Sequence, residues 1–211
     1  MLGTWSLSVF AGCTESGQLG QSTLTAPCAA GEDCEDTGAS RPVAVGATFA
    51  LEAKAVLSGA MAVPLSLRTV DDSVAIIDDE GKVRATGPGI TAVLIVSDDG
   101  SVVDITHIST ATVNRLSLHR GGGAELDERE LPAAIQLFPN ETLTLSVRVW
   151  HGGQPLTGEV GDVWTVDNPA FRILDQGFAL ERRIQAPASG STRVVVDILG
   201  TSHTLDLEVI P

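Results

Sequence analysis

The chain has 211 residues, with 27 acidic against 13 basic side chains and a net charge of −14. That balance argues against nucleic acid or an anionic membrane surface as a partner, since both are held by clustered Lys and Arg. The hydrophobic fraction of 43 % is globular, and no apolar run approaches the ~18–20 residues of a spanning helix.

In chain order, Met1 to Thr14 carry no charge and read MLGTWSLSVFAGCT. An apolar N-terminal stretch ending in small residues is a targeting segment before it is structure. Phe10-Ala11-Gly12-Cys13 resembles the lipobox of bacterial lipoproteins. The resemblance implies a signal peptide over 1–12, cleavage before Cys13, and acylation of the Cys13 thiol and new amino group. Thr14 follows the lipidated position, and the absence of an acid there implies sorting to the outer membrane. There are three cysteines. With Cys13 acylated, Cys28 and Cys34 remain as a pair around Ala-Ala-Gly-Glu-Asp, a turn-forming loop able to close a small disulfide in an oxidising compartment. The alternative is two reduced surface thiols. Residues 13–42 are rich in Gly, Ser, Thr and acids and lack periodicity, so they read as a disordered acidic tether.

The remainder repeats itself once. Thr69-Val70-Asp71-Asp72-Ser73 matches Thr165-Val166-Asp167-Asn168-Pro169, Gly46 to Leu51 matches Asn140 to Leu145, and Val103-Asp104-Ile105 matches Leu205-Asp206-Leu207. Runs such as Thr142 to Val149 and Thr204 to Val209 alternate apolar and polar residues, the pattern of strands with one face in a core. Turn signals recur every ~8–12 residues, as in antiparallel sandwiches. The predicted fold is all-β: two tandem antiparallel β-sandwiches over 43–118 and 132–211, joined by a linker over 119–131. Ala124 to Leu131 reads as a short helix within that linker.

Three blocks carry a family resemblance: Val45 to Leu51, Leu67 to Asp78 and Glu80 to Val93. In order and spacing they resemble the bacterial immunoglobulin-like domain of the group 2 type, over residues 43–117. The resemblance implies immunoglobulin-like sandwiches. Arg68 stands where the family has Trp, and Trp164 takes that place in the second copy. Ala75 and Ile77 are expected to face inward, Trp164 to pack between the sheets, and Arg68 to lie at the rim. Gly81 is expected at a hairpin turn with positive φ, and Gly89 where the chain enters the next strand.

Catalytic patterns are poor. Gly87-Pro88-Gly89-Ile90-Thr91-Ala92 fits a loose dinucleotide pattern but precedes a strand rather than the required helix. Ser202 and His203 are adjacent, so on a strand they face opposite sides. The four histidines lack zinc spacing. The pairs Asp71-Asp72, Asp78-Asp79 and Asp98-Asp99 read as turn residues, with calcium as the other option. The sequence therefore points to a non-enzymatic cell-envelope lipoprotein without cofactor or metal. It would be anchored to the membrane by lipid and would present its sandwiches to a protein or glycan at the cell surface. A soluble secreted binding module and an accessory subunit of an envelope complex are the alternatives.

Overall fold

The computed structural model describes residues 21–25, 41–56, 65–121, 129–175 and 180–210. The chain forms β1 (Gln21–Thr25), β2 (Val43–Ala44), β3 (Thr48–Ala50), β4 (Glu52–Val56), β5 (Leu65–Thr69), β6 (Ala75–Ile77), β7 (Lys82–Ala85), β8 (Gly89–Ser97) and β9 (Val102–Ala111). The second half forms β10 (Arg115–Arg120), β11 (Ala134–Leu137), β12 (Thr142–His151), β13 (Gln154–Pro155), β14 (Val163–Val166), β15 (Arg172–Asp175), β16 (Glu181–Gln185), β17 (Gly190–Ile198) and β18 (Thr201–Val209). No helix occurs among the described residues.

The second half is a two-sheet sandwich. One sheet has the order β10-β12-β16-β15 and the other β11-β18-β17-β14. A short strand pairs in parallel with the last strand (β11 with β18), and every other pair is antiparallel. This is the immunoglobulin-like arrangement: the first sheet, five-stranded with β13 beside β12, stands opposite the sheet that holds the last two strands. The first half repeats it, with β2-β9-β8-β5 opposite β3-β7-β6. Its second strand is split at Leu51 into β3 and β4, and β1 pairs with β4. Alternation fills both cores. In the first core Val93 and Ile95 are buried from the central strand β8, with Phe49 and Val83 buried from the opposite sheet; in the second, Val194, Val196 and Ile198 of β17 have Leu143, Leu145 and Ile184 opposite.

Several boundaries differ from the sequence reading. Residues 21–25 lie in the stretch read as tether, yet they form β1. β10 starts at Arg115 and is the first strand of the second sandwich, so that domain begins well before residue 132. Residues 129–131, read as the end of a short helix, run beside β10. Leu131 donates its N–H to the Leu118 carbonyl at 2.7 Å, and Glu130 bridges to His119. This segment covers the open edge of β10, where unpaired backbone groups would otherwise face water.

Equivalent hydrogen bonds fix the repeat register. The Asp71 amide donates to Thr91 Oγ1 at 3.0 Å, and the Asn168 amide donates to Thr192 Oγ1 at 3.0 Å. The Val74 and Phe171 amides reach the Asp71 and Asn168 carbonyls, each at 3.1 Å. Asp71 is thus the counterpart of Asn168, not of Asp167, and the sequence match slips by one residue here. With β5 paired to β8 and β14 to β17, Leu67 is the counterpart of Trp164. Arg68 corresponds to Thr165, and both are exposed. Because side chains alternate, a one-residue slip turns an inward position outward. Likewise, the counterpart of Leu205-Asp206-Leu207 is Thr106-His107-Ile108, since Gly89 pairs with Thr110 and Gly190 with Val209.

The two sandwiches are joined by backbone. The Ala44 amide donates to the Thr157 carbonyl at 3.0 Å, and the Thr157 amide to the Pro42 carbonyl at 3.0 Å. Thr48 and Glu159 exchange a pair of bonds at 3.0 and 2.7 Å. Gly158 sits between these residues with φ +105°, where a Cβ would lie 2.7 Å from the Ala47 Cβ. Only glycine combines that backbone conformation with so close an approach.

Candidate functional site

Three surfaces and two polar clusters hold the chemistry of this molecule. The outer face of the β10-β12-β16-β15 sheet is read from its register. Arg115 lies opposite Trp150, Ser117 opposite Arg148, and His119 opposite Ser146 and Glu181. Thr144, Arg183 and Leu174 form the next row, then Thr142, Gln185 and Arg172. The Arg115 guanidinium stands 4.7 Å from the Trp150 ring centre and pairs with Glu130 at 2.8 Å. Stacking on indole lets the planar cation keep favourable electrostatics where water is partly excluded.

Beneath Trp150 lies a buried polar cluster. The indole N–H donates to Ser117 Oγ at 2.7 Å, and Ser117 Oγ meets His119 Nε2 at 2.8 Å. Ser117 is fully buried and His119 is 3 % exposed. A Ser–His contact suggests a nucleophile and its base, but here the hydroxyl accepts from an indole and no substrate can reach it. The cluster fastens Trp150 over β10. Sequence reasoning weighed only Ser202 and His203. The readable signal for Ser117 and His119 was their spacing of two on one strand, which puts both on one face.

The second cluster lies at the β14 end of the same sandwich. Trp164 donates its indole N–H to Asp162 Oδ2 at 2.6 Å, and Asp162 Oδ1 pairs with Arg182 at 2.8 Å. Trp164 is half-buried and packs against the core cluster. Arg182 shares the inward face of its sheet, and the carboxylate supplies the partner a covered guanidinium needs.

The outer faces of the two sheets that hold the last strands differ sharply between the copies. In the second sandwich this face forms a polar groove of about 840 Å³ bordered by Gln136, Asp167, Ser191, Arg193, Asp206 and Glu208. Arg193 pairs with Asp206 at 2.9 Å. Its guanidinium is held above its ordinary value by the hydrogen bond and charge of Asp206, with a smaller contribution from Asp167. In the first sandwich the corresponding face carries Val70, Ile90 and Ile105, which are 63 %, 70 % and 52 % exposed, around half-buried Ala92 and Leu94.

The other residues singled out in the sequence fall as follows. Ala75 is fully buried, and Ile77 is half-buried against the core. Gly81 has φ +77° in the β6–β7 turn. Gly89 has φ +154°, and a Cβ there would lie 2.9 Å from Val74 Cγ2. The acidic pairs build turns. Asp71 Oδ1 accepts from the Ser73 amide and hydroxyl, and Asp78 Oδ1 accepts from the Glu80 and Lys82 amides. Asp99 Oδ1 accepts from Ser97 Oγ and the Ser101 amide. These donors hold the Asp71 and Asp99 carboxyls below the ordinary value of 3.8, led by the Ser73 and Ser97 hydroxyls respectively. Among the described residues no group of three or more metal-ligating side chains occurs. Cys13, Cys28 and Cys34 lie outside the described residues.

Comparison with known proteins gives structural likeness only. No family model matches the chain, and no curated protein matches it. Among solved structures it is similar to domains 4 and 5 of the S-layer protein SbsC, at 12 % identity, TM-score 0.34, covering 90 % of this chain and 98 % of that one. It is similar to the Escherichia coli adhesin FdeC at 13 % identity and TM-score 0.35, covering 93 % and 65 %. It is also similar to the I9–I11 tandem of titin at 11 % identity and TM-score 0.35, covering 81 % and 65 %. The chain spans under a third of the longer S-layer structures it matches. The sheet order of the chain itself defines its class, an all-β protein of tandem immunoglobulin-like sandwiches.

Proposed function

We propose that this chain is a non-enzymatic cell-envelope lipoprotein that presents two immunoglobulin-like sandwiches for adhesion or partner binding. Cys13 carries the lipid and anchors the chain in the outer membrane, and its partner is a protein or glycan at the cell surface. The observation that carries the binding role is the junction. Four backbone hydrogen bonds tie Pro42, Ala44 and Thr48 to Thr157 and Glu159, which suits a carrier that holds binding faces in a fixed relation. Anchoring rests on Phe10-Ala11-Gly12-Cys13. The test is the intact mass of the mature protein from its native host beside its Cys13→Ala variant. A mass of residues 13–211 plus a diacylglycerol, with or without an amide-linked acyl chain, lost in the variant, is the expected result. An uncleaved or unacylated chain overturns anchoring and leaves a soluble secreted module. A second reading, an accessory subunit of an envelope complex, is favoured by the exposed Val70, Ile90 and Ile105 on one face.

A further inference from the structure

The strongest unexplained feature is a set of arginines in a strongly acidic protein. Among the described residues Arg148, Arg172 and Arg183 have no ion pair, while the carboxylates of their sheet face, Glu181 and the Arg115-paired Glu130, lie in the row of His119 and Ser146. Arg172 and Arg183 are exposed. Arg148 is half-buried, and its Nε is buried with no hydrogen-bond partner. A buried donor without a partner costs free energy.

The register places these cations on a diagonal. Arg148 is on β12. Arg183 is one strand over, opposite Thr144. Arg172 is a further strand over, opposite Gln185. From strand spacing and rise, the backbone separations are about 14 Å between Arg148 and Arg183 and about 8 Å between Arg183 and Arg172. Leu174, opposite Arg183, adds exposed apolar surface beside the stripe, while the Trp150 ring, two residues from Arg148, is already stacked with Arg115. Thr144 is the direct cross-strand neighbour of Arg183.

We propose that this face binds an extended polysaccharide bearing carboxylates, with Arg148, Arg183 and Arg172 holding successive acidic groups and Leu174 bedding the apolar face of a sugar. Guanidinium forks match carboxylates in planar, bidentate geometry. An open strand face suits a ribbon-like polymer better than a small molecule. The net charge of −14 repels polymers of high charge density such as nucleic acid, while the local stripe attracts acids spaced along a sugar chain. The inference rests on the reading of the chain as a surface-binding module and names the ligand class. The lipid anchor plays no part in it.

The test is binding of the purified full chain to polygalacturonate at low and moderate salt, with neutral dextran and dextran sulfate alongside. Binding to polygalacturonate that weakens with salt, with none to dextran, is expected. Arg148→Gln and Arg183→Gln should each weaken it roughly three- to tenfold, while Arg68→Gln, an exposed arginine of the other sandwich, leaves it unchanged. Absence of polygalacturonate binding overturns the proposal. So does an equal loss in the Arg68→Gln variant, which would mark a net-charge effect, or preference for dextran sulfate over polygalacturonate. Thermal unfolding of each variant separates lost binding from lost folding. Because the assay uses soluble protein, its result stands apart from the mass measurement of the anchor.

Discussion

Trp164 is held by the acid two residues before it, its indole N–H donating to Asp162 at 2.6 Å while Asp162 also pairs with Arg182. The arrangement lets a half-buried tryptophan close one end of the sandwich without stranding its donor. It also gives Arg182, on the inward face of β16, a counter-charge. The side chains of Arg182 and Asp162 are 19 % and 10 % exposed, so removing one partner leaves the other charge largely covered. Asp162→Ala should therefore cost about 2–4 kcal/mol, toward or below the usual range for a broken buried pair. Asp162→Asn keeps an acceptor and should cost less. Trp164→Phe loses only the indole donor and part of the packing, about 1–2 kcal/mol. Denaturant unfolding of the three variants checks the order. An Asp162→Ala variant as stable as the parent would show that the cluster contributes nothing.

This cluster shows where the sequence was legible and where it was not. Period-two alternation and evenly spaced turns mark a two-sandwich fold, because each strand must bury one face. The tryptophan's neighbourhood was not legible, since the charges that complete it come from Asp162 in a loop and Arg182 on another strand. The repeat was visible, but its register was off by one at Asp71. The identical Thr-Val-Asp string aligned best in letters, whereas the amide-to-threonine bonds that define the turn pair Asp71 with Asn168. The same slip hid Leu67 as the counterpart of Trp164. β1 was concealed because Gln21-Ser22-Thr23-Leu24-Thr25 is a polar strand that resembles its flanking coil in composition. The arginine stripe was invisible for a different reason. Its members are far apart in sequence and meet only through antiparallel register.

Gly158 controls the relation between the sandwiches. Its φ of +105° and the 2.7 Å approach to Ala47 leave no room for a methyl group. Gly158→Ala should cost about 1–3 kcal/mol of junction stability from backbone strain and overlap. The loss should be local. Amide exchange at Ala44, Thr48, Thr157 and Glu159 should speed up, while Val93 and Val194 in the two cores stay protected. Adding Ala47→Gly removes the overlap but not the strain, so it should restore part of the protection. Unchanged exchange at the four junction amides in Gly158→Ala would mean that the sandwiches are not held together there.

The two sheet faces of the duplicated unit offer an internal exchange experiment. Val70 and Ile90 of the first sandwich occupy the positions of Asp167 and Ser191 in the second. At 63 % and 70 % exposure they bury too little surface to stabilise the first core, so their apolar character must be accounted for outside the folding of the isolated chain. Val70→Asp and Ile90→Ser should each change unfolding free energy by no more than about 0.5 kcal/mol, as surface substitutions do. The same pair should reduce binding of an apolar fluorescent dye, and it should lower any concentration-dependent self-association seen by sedimentation. The alternative outcome is equally clear. A loss of more than about 1 kcal/mol from either substitution would show that the face is covered within the chain itself, and its exposed valine and isoleucine would then belong to the folding core rather than to a surface for partners.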